Sequence, residues 1–153
     1  MALKPDRFED ATDLSFFMNV TGERGQIVIH DTTGSGAGMD DATNNVIRVN
    51  GTAPSGTKPA GLLLCDVVNY DLTRQPLNAH KDEVQLGGKV LLLRRGYVTT
   101  NRVAGTITAG APAYYDSNGN LTPTDPGSGF KVGRFLTKAD PDGYAKVEIN
   151  ITG

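Results

Sequence analysis

The chain has 153 residues, with 15 Lys and Arg against 17 Asp and Glu, for a formal charge of −2. That length suits one domain with its own core, and so small a net charge sets up no field that would gather nucleic acid or an anionic membrane. The 19 glycines and 8 prolines, with 38% hydrophobic residues and no tryptophan, speak against a helical bundle and for many turns between short strands.

Residues 1–20 read as an extended arm. Pro5 and a run of charges precede Leu14-Ser15-Phe16-Phe17-Met18, and three of the 5 phenylalanines (Phe8, Phe16, Phe17) lie here. A short helical turn around Asp6–Asp13 fits the same stretch. The charges are followed by no apolar segment of signal-peptide type, and no run approaches the roughly 18 apolar residues of a spanning helix. The expectation is therefore a soluble protein made in the cytoplasm. An apolar arm must dock on its own domain or on a neighbour.

Gln26-Ile27-Val28-Ile29-His30 is the first convincing strand. The glycine-rich stretch Thr32–Gly38 reads as a loop. Val46-Ile47-Arg48-Val49-Asn50 reads as a second strand, and Gly51–Pro59 as a second loop. Leu62–Asp71 is an apolar run of strand type. Leu72–Glu83 is polar and suits a loop or one helical turn. Within Val84–Thr100, the run Lys89–Val98 suits one or two strands bent at Gly96.

Ile107-Thr108 leads into the Ala109-Gly110 turn. Pro112-Ala113-Tyr114-Tyr115-Asp116 is then a strand entering a hairpin at Asn118-Gly119. This pattern places one tyrosine in and one out, and makes Asp116 a turn residue bonded to its own backbone rather than a general base. Phe130–Leu136 alternates with a phase shift at Gly133, as a bulge would give. Asp140-Pro141-Asp142-Gly143 is a turn. Tyr144–Ile151 closes the chain as the cleanest half-buried strand, with Ala145, Val147, Ile149 and Ile151 on one side. The fold class is all-β. A single compact barrel or sandwich-like domain of about eight to ten short strands spans residues 21–153, after the arm.

No catalytic constellation stands out. Thr33–Gly38 lacks the Gly-Lys-Ser/Thr ending of a phosphate loop, and no nucleophile elbow is present. His30-Asp31 and His80-Lys81-Asp82-Glu83 each offer one histidine beside ordinary charges. Asp40-Asp41 and Asp140/Asp142 lack the spacing of a calcium loop, and one cysteine with two histidines is a poor zinc set. Cys65, alone in an apolar run, reads as a buried thiol that forms no intrachain disulfide, which fits a reducing compartment. Arg74 and Arg94-Arg95 lack the interleaved aromatics of a nucleic-acid face. The residues thus indicate no enzyme activity, no cofactor and no metal.

The segment Gly96–Asn150 carries a resemblance. It runs through Ile107-Thr108-Ala109-Gly110-Ala111-Pro112-Ala113-Tyr114-Tyr115-Asp116 and Asn118-Gly119-Asn120-Leu121-Thr122. It continues with Val132-Gly133-Arg134-Phe135 and Asp140-Pro141-Asp142-Gly143, then Val147-Glu148-Ile149. In this order it resembles the small β-barrel decoration, or cement, proteins of tailed-bacteriophage heads. The resemblance implies a non-enzymatic virion protein on the outer surface of the head. It implies the major capsid protein as partner, a homotrimer at threefold positions that stabilises the lattice, and no nucleic acid or membrane partner. On that reading Phe8, Leu14, Phe16, Phe17 and Met18 are the expected docking residues of the arm. Two other readings stay open. One is a different phage structural part, from the tail, head completion or fibre base. The other is a glycan-binding β-domain using Tyr97, Tyr114, Tyr115 and Tyr144.

Overall fold

The computed structural model describes residues 2–33, 45–48, 54–67, 82–84, 86–127 and 130–151. The described strands are β1 (Phe8–Met18), β2 (Gly22–Glu23), β3 (Ile27–His30), β4 (Asn45–Arg48), β5 (Pro59–Asp66), β6 (Glu83–Val84), β7 (Lys89–Thr100), β8 (Pro112–Tyr115), β9 (Leu121–Thr122), β10 (Gly133–Phe135) and β11 (Ala145–Asn150). No helix occurs among the described residues, so the all-β expectation is met. Most of the glycine-rich loop, Asp40-Asp41, Arg74 and His80-Lys81 lie outside the described residues.

The strands form one 9-stranded mixed sheet in the order β1-β4-β3-β5-β7-β11-β10-β8-β9, with β2 and β6 as a separate pair. This is not one closed barrel of all the strands. The first five in that order do make a ring of pairings, because β1 pairs β4 in parallel and also pairs β7 antiparallel. β7 is the common member. One edge carries β1; the other carries β5 along Val90–Leu93 and then β11 along Arg95–Thr100.

Two cores lie on opposite faces of β3, β5 and β7. Ile27, Ile29, Leu62, Leu64, Leu93 and Val98 join the larger, which β8 to β11 complete with Tyr115, Leu121, Phe135, Val147 and Ile149. Val28, Leu63, Val90 and Leu92 join the smaller, with Met18, Val46 and Val84. A strand buried on both faces must be apolar at every position, which is why Ile27-Val28-Ile29 and Leu62-Leu63-Leu64 do not alternate. β11 buries only one face, and its residues alternate between buried and accessible.

Residues 8–18 are extended as a strand of the main sheet and include no helical turn. Leu3 also bridges to Thr100. The physical reason is the smaller core: Met18 fills it and Phe16 packs against it, so this segment is held by its own domain. The pairing is broken three times, between Glu9 and Ala11, Ala11 and Thr12, and Asp13 and Phe16. At the last break the Asp13 carboxylate accepts the Ser15 N–H at 2.7 Å, and Leu14 is left exposed.

The hairpin expected at Asn118-Gly119 is present. Asp116 Oδ1 accepts the N–H groups of Asn118 at 2.8 Å and Asn120 at 2.9 Å, so its carboxylate is spent on the turn. Tyr115 is fully buried and its hydroxyl lies 2.8 Å from Thr57 Oγ1, while Tyr114 is half-buried. Buried Gln26 donates to the Asn118 carbonyl at 2.9 Å, and Ile27 N–H donates to the Gly119 carbonyl at 2.8 Å, so the turn docks on β3.

The bulge expected at Gly133 is not there. β10 pairs β11 without a shift, Gly133 opposite Ile149 and Phe135 opposite Val147. Glycine is needed because the backbones are close: a Cβ at Gly133 would lie 1.8 Å from the Glu148 carbonyl oxygen. Gly96 plays the same part between β1 and β7. Its φ is +146°, and a Cβ there would lie 2.0 Å from the Phe8 carbonyl oxygen. Gly96→Ala is expected to lower stability by about 2–4 kcal/mol, from backbone strain plus displacement of β1. Denaturant unfolding checks this; a loss below about 0.5 kcal/mol would mean that β1 does not pack here as described.

Candidate interaction surface

Several of the candidate catalytic groups among the described residues are occupied by structure. Asp140 Oδ1 accepts the Tyr144 N–H at 2.8 Å in its turn, and Asp140 Oδ2 lies 3.8 Å from Lys4 Nζ. Cys65 is half-buried, and burial raises its thiol pKa, which disfavours the reactive thiolate. Asp31 accepts the Thr33 N–H at 2.8 Å and the Thr33 hydroxyl at 2.7 Å, and these bonds hold its pKa below the usual carboxylate value. No three of His, Cys, Asp and Glu converge among the described residues.

What the surface offers instead is apolar side chains among ion pairs. Phe8 is 53% exposed and stacks on Tyr97 with 5.9 Å between ring centroids. Lys146 Nζ sits 4.2 Å from the Tyr97 centroid and 3.4 Å from Asp6. Phe8, Tyr97 and Leu136 line a cleft of about 400 Å³ whose rim is Asp10, Arg95 and Glu148. Arg95 pairs with Asp10, and Arg134 with Glu148 at 3.3 Å. Leu14 stands exposed at the break in β1, and Leu86, 64% exposed, follows β6 in the turn whose Gly87 N–H donates to the Met18 carbonyl at 2.7 Å. Exposed apolar residues therefore mark the start, the break and the end of β1.

The five docking residues expected from sequence do not share one environment. Phe8 and Leu14 are exposed. Phe16 is half-buried with its ring edge-on to His30, at 5.5 Å between centroids. Phe17 is half-buried with Lys89 Nζ 5.6 Å from its ring. Met18 is 1% exposed and belongs to the core, so it offers no docking surface. Sequence reasoning did not single out the exposed Leu86 and Phe130 or the half-buried Leu136, which no local pattern marks as surface groups. Of the four tyrosines that a glycan-binding reading would use, Tyr115 is buried, Tyr114 is half-buried, and Tyr97 and Tyr144 each carry a lysine, Lys146 and Lys4, at 4.2 Å.

Fold and surface together define an all-β protein that exposes apolar side chains among ion pairs. The comparisons extend this. The family model for the structural cement protein (E217 gp24/Pam3 gp6) matches residues 10–150, and the chain belongs to that family. It is thus a structural protein of the phage capsid. The chain is also similar to the solved structure described as the crystal structure of the head fiber gp8.5 N base in bacteriophage phi29. That similarity has a TM-score of 0.49 and 14% identity, over 95% of this chain and 94% of that one. No curated relative matches the chain.

His30 packs against Phe16 of β1. Partial burial lowers its pKa below the ordinary 6.5, Arg94 and Lys58 act in the same direction, and Asp13 opposes them. A histidine with a lowered folded-state pKa contributes stability that is present above the unfolded value and is lost as pH falls through the folded value. Stability is therefore expected to decline as pH drops from about 7 to about 5, and His30→Gln to flatten that decline. Urea unfolding across this range checks it; the contribution of Asp31 falls in a separate window, below its ordinary 3.8.

Proposed function

We propose that the chain binds the outer surface of the phage head, contacts the major capsid protein and stabilises its lattice, as a homotrimer at threefold positions. The observation that carries this reading is the family match over residues 10–150, which supports a role in the capsid. In this proposal residues 1–20 are the docking element and residues 21–153 the body that presents it. Phe8 and Leu14 make the contact, helped by Leu86; Phe16 and Phe17 stiffen the strand behind them.

The physics suits the role. From Phe8 to Phe16, β1 pairs on one edge only among the described residues. Its charges and breaks keep that edge from pairing at random, while the exposed apolar side chains offer burial worth roughly 1.5–3 kcal/mol each. A net charge of −2 produces little repulsion between many copies on one shell. Weak contacts repeated within an oligomer multiply into strong attachment, with no reactive group required.

Phe8→Ala combined with Leu14→Ala is expected to weaken binding to capsids at least tenfold, about 1.4 kcal/mol or more, with thermal stability within a few degrees of the parent. Co-sedimentation of labelled protein with capsids checks this, and unchanged binding would remove the docking assignment. The copy number in virions tests the lattice role separately. About one copy per major capsid subunit supports it, and a handful per particle would move the chain to another part of the virion.

A further inference from the structure

A second cleft, of about 330 Å³, lies on another part of the surface and has a different character. His30, Lys58, Arg94 and Lys131 line it, with no carboxylate among the described residues that do. Pro59, Phe130 and Ile151 supply an apolar wall, with Phe130 41% exposed. Backbone bonds fix the frame. His30 N–H donates to the Lys58 carbonyl at 2.9 Å, Ile151 N–H to the Arg94 carbonyl at 2.8 Å, and Asn150 N–H to the Val132 carbonyl at 2.8 Å. The cations thus converge because the ends of β3 and β11, the start of β5 and the middle of β7 meet there.

Around the first cleft the cations are matched: Arg95 with Asp10, Arg134 with Glu148, Lys146 with Asp6. Among the described residues Lys58, Arg94 and Lys131 make no ion pair. The acid that acts on His30, Asp13, already accepts the Ser15 N–H. Grouping cations without a counter-charge costs self-repulsion, which an anionic occupant relieves.

We propose that this cleft holds an acidic peptide segment of a protein partner, whose carboxylates meet Lys58, Arg94 and Lys131 while an aliphatic or aromatic side chain packs on Phe130. The wall is mostly aliphatic, Pro59 and Ile151 beside the single ring of Phe130, and this favours an acidic peptide over single-stranded nucleic acid, which is held by successive bases stacked on several aromatic rings. Asp6, Glu9 and Asp10 of the N-terminal strand region are already paired within their own chain, so that strand of a second copy is a poor source of the carboxylates. The inference goes beyond the capsid reading and stands without it, because the isolated protein can test it.

The probe is an acetylated octapeptide of alternating glutamate and leucine, titrated into the full chain with amide shifts read by NMR. Saturable shifts are expected around His30, Lys58, Arg94, Lys131 and Ile151. Raising the salt concentration should weaken binding, Arg94→Glu with Lys131→Glu should weaken it at least tenfold, and Phe130→Ala at least threefold. If the double reversal perturbs the fold, Arg94→Gln and Lys131→Gln replace it. Shifts elsewhere, no saturation, or equal binding by a serine–leucine octapeptide would overturn the proposal. So would tighter saturation of the same amides by inorganic phosphate or a single-stranded oligonucleotide. Self-association of the chain that these variants abolish would assign the cleft to a second copy instead.

Discussion

Ile27-Val28-Ile29 and Leu62-Leu63-Leu64 face two cores at once, and the rest of the structure depends on that. A two-sided strand has no polar face, so it must be covered on both sides. β8 to β11 cover one side, and β1, β4 and β6 cover the other. The N-terminal strand is thereby drawn into the sheet, because without Met18 and Phe16 the smaller core would be open. The same demand explains why β7 is so long: it closes the smaller core with Val90 and Leu92 and then continues into the larger with Leu93 and Val98.

The exposed surface follows from this arrangement. β1 has to approach β7 closely, which Gly96 permits, yet its pairing breaks at several points and its outer edge is left open from Phe8 to Phe16 among the described residues. Leu14 is exposed because it sits in one of those breaks, with Asp13 taking the amide that the ladder leaves free. Phe8 is exposed because it lies at the far end of the strand from the smaller core, resting on Tyr97 on the outer side of the sheet. A strand tied into the core at one end and apolar at the other can present side chains to a partner at little cost in ordering.

Charge is distributed unevenly despite a net charge near zero. Around Tyr97 and Glu148 acids and bases are interleaved and paired, so little net charge is left there. Around Arg94 the bases stand together with no acid among the described lining residues. Net charge, being a sum, is blind to this difference. Two surfaces with opposite logic, one apolar within a neutralised rim and one cationic around an apolar wall, suit a protein that holds more than one neighbour.

Turn chemistry and one-sided strands were legible in the sequence because they are local. Asp116 with Asn118-Gly119, and Asp140 with Gly143, specify their hydrogen bonds within five residues, and Ala145–Asn150 alternates because only one of its faces is buried. The same local features carried the resemblance to the cement proteins. The tertiary structure decided what depends on distant partners. Met18 looks like its neighbours Phe16 and Phe17 in sequence, yet it is core because Val46, Leu63 and Val84 converge on it. Gly133 suggested a bulge, and the true reason for glycine was the carbonyl of Glu148 on the next strand. Lys58, Arg94 and Lys131 lie far apart along the chain, and only backbone pairing between their strands brings them to one cleft. Spacing along a chain reports which face a residue takes, and pairing between strands reports what that face meets.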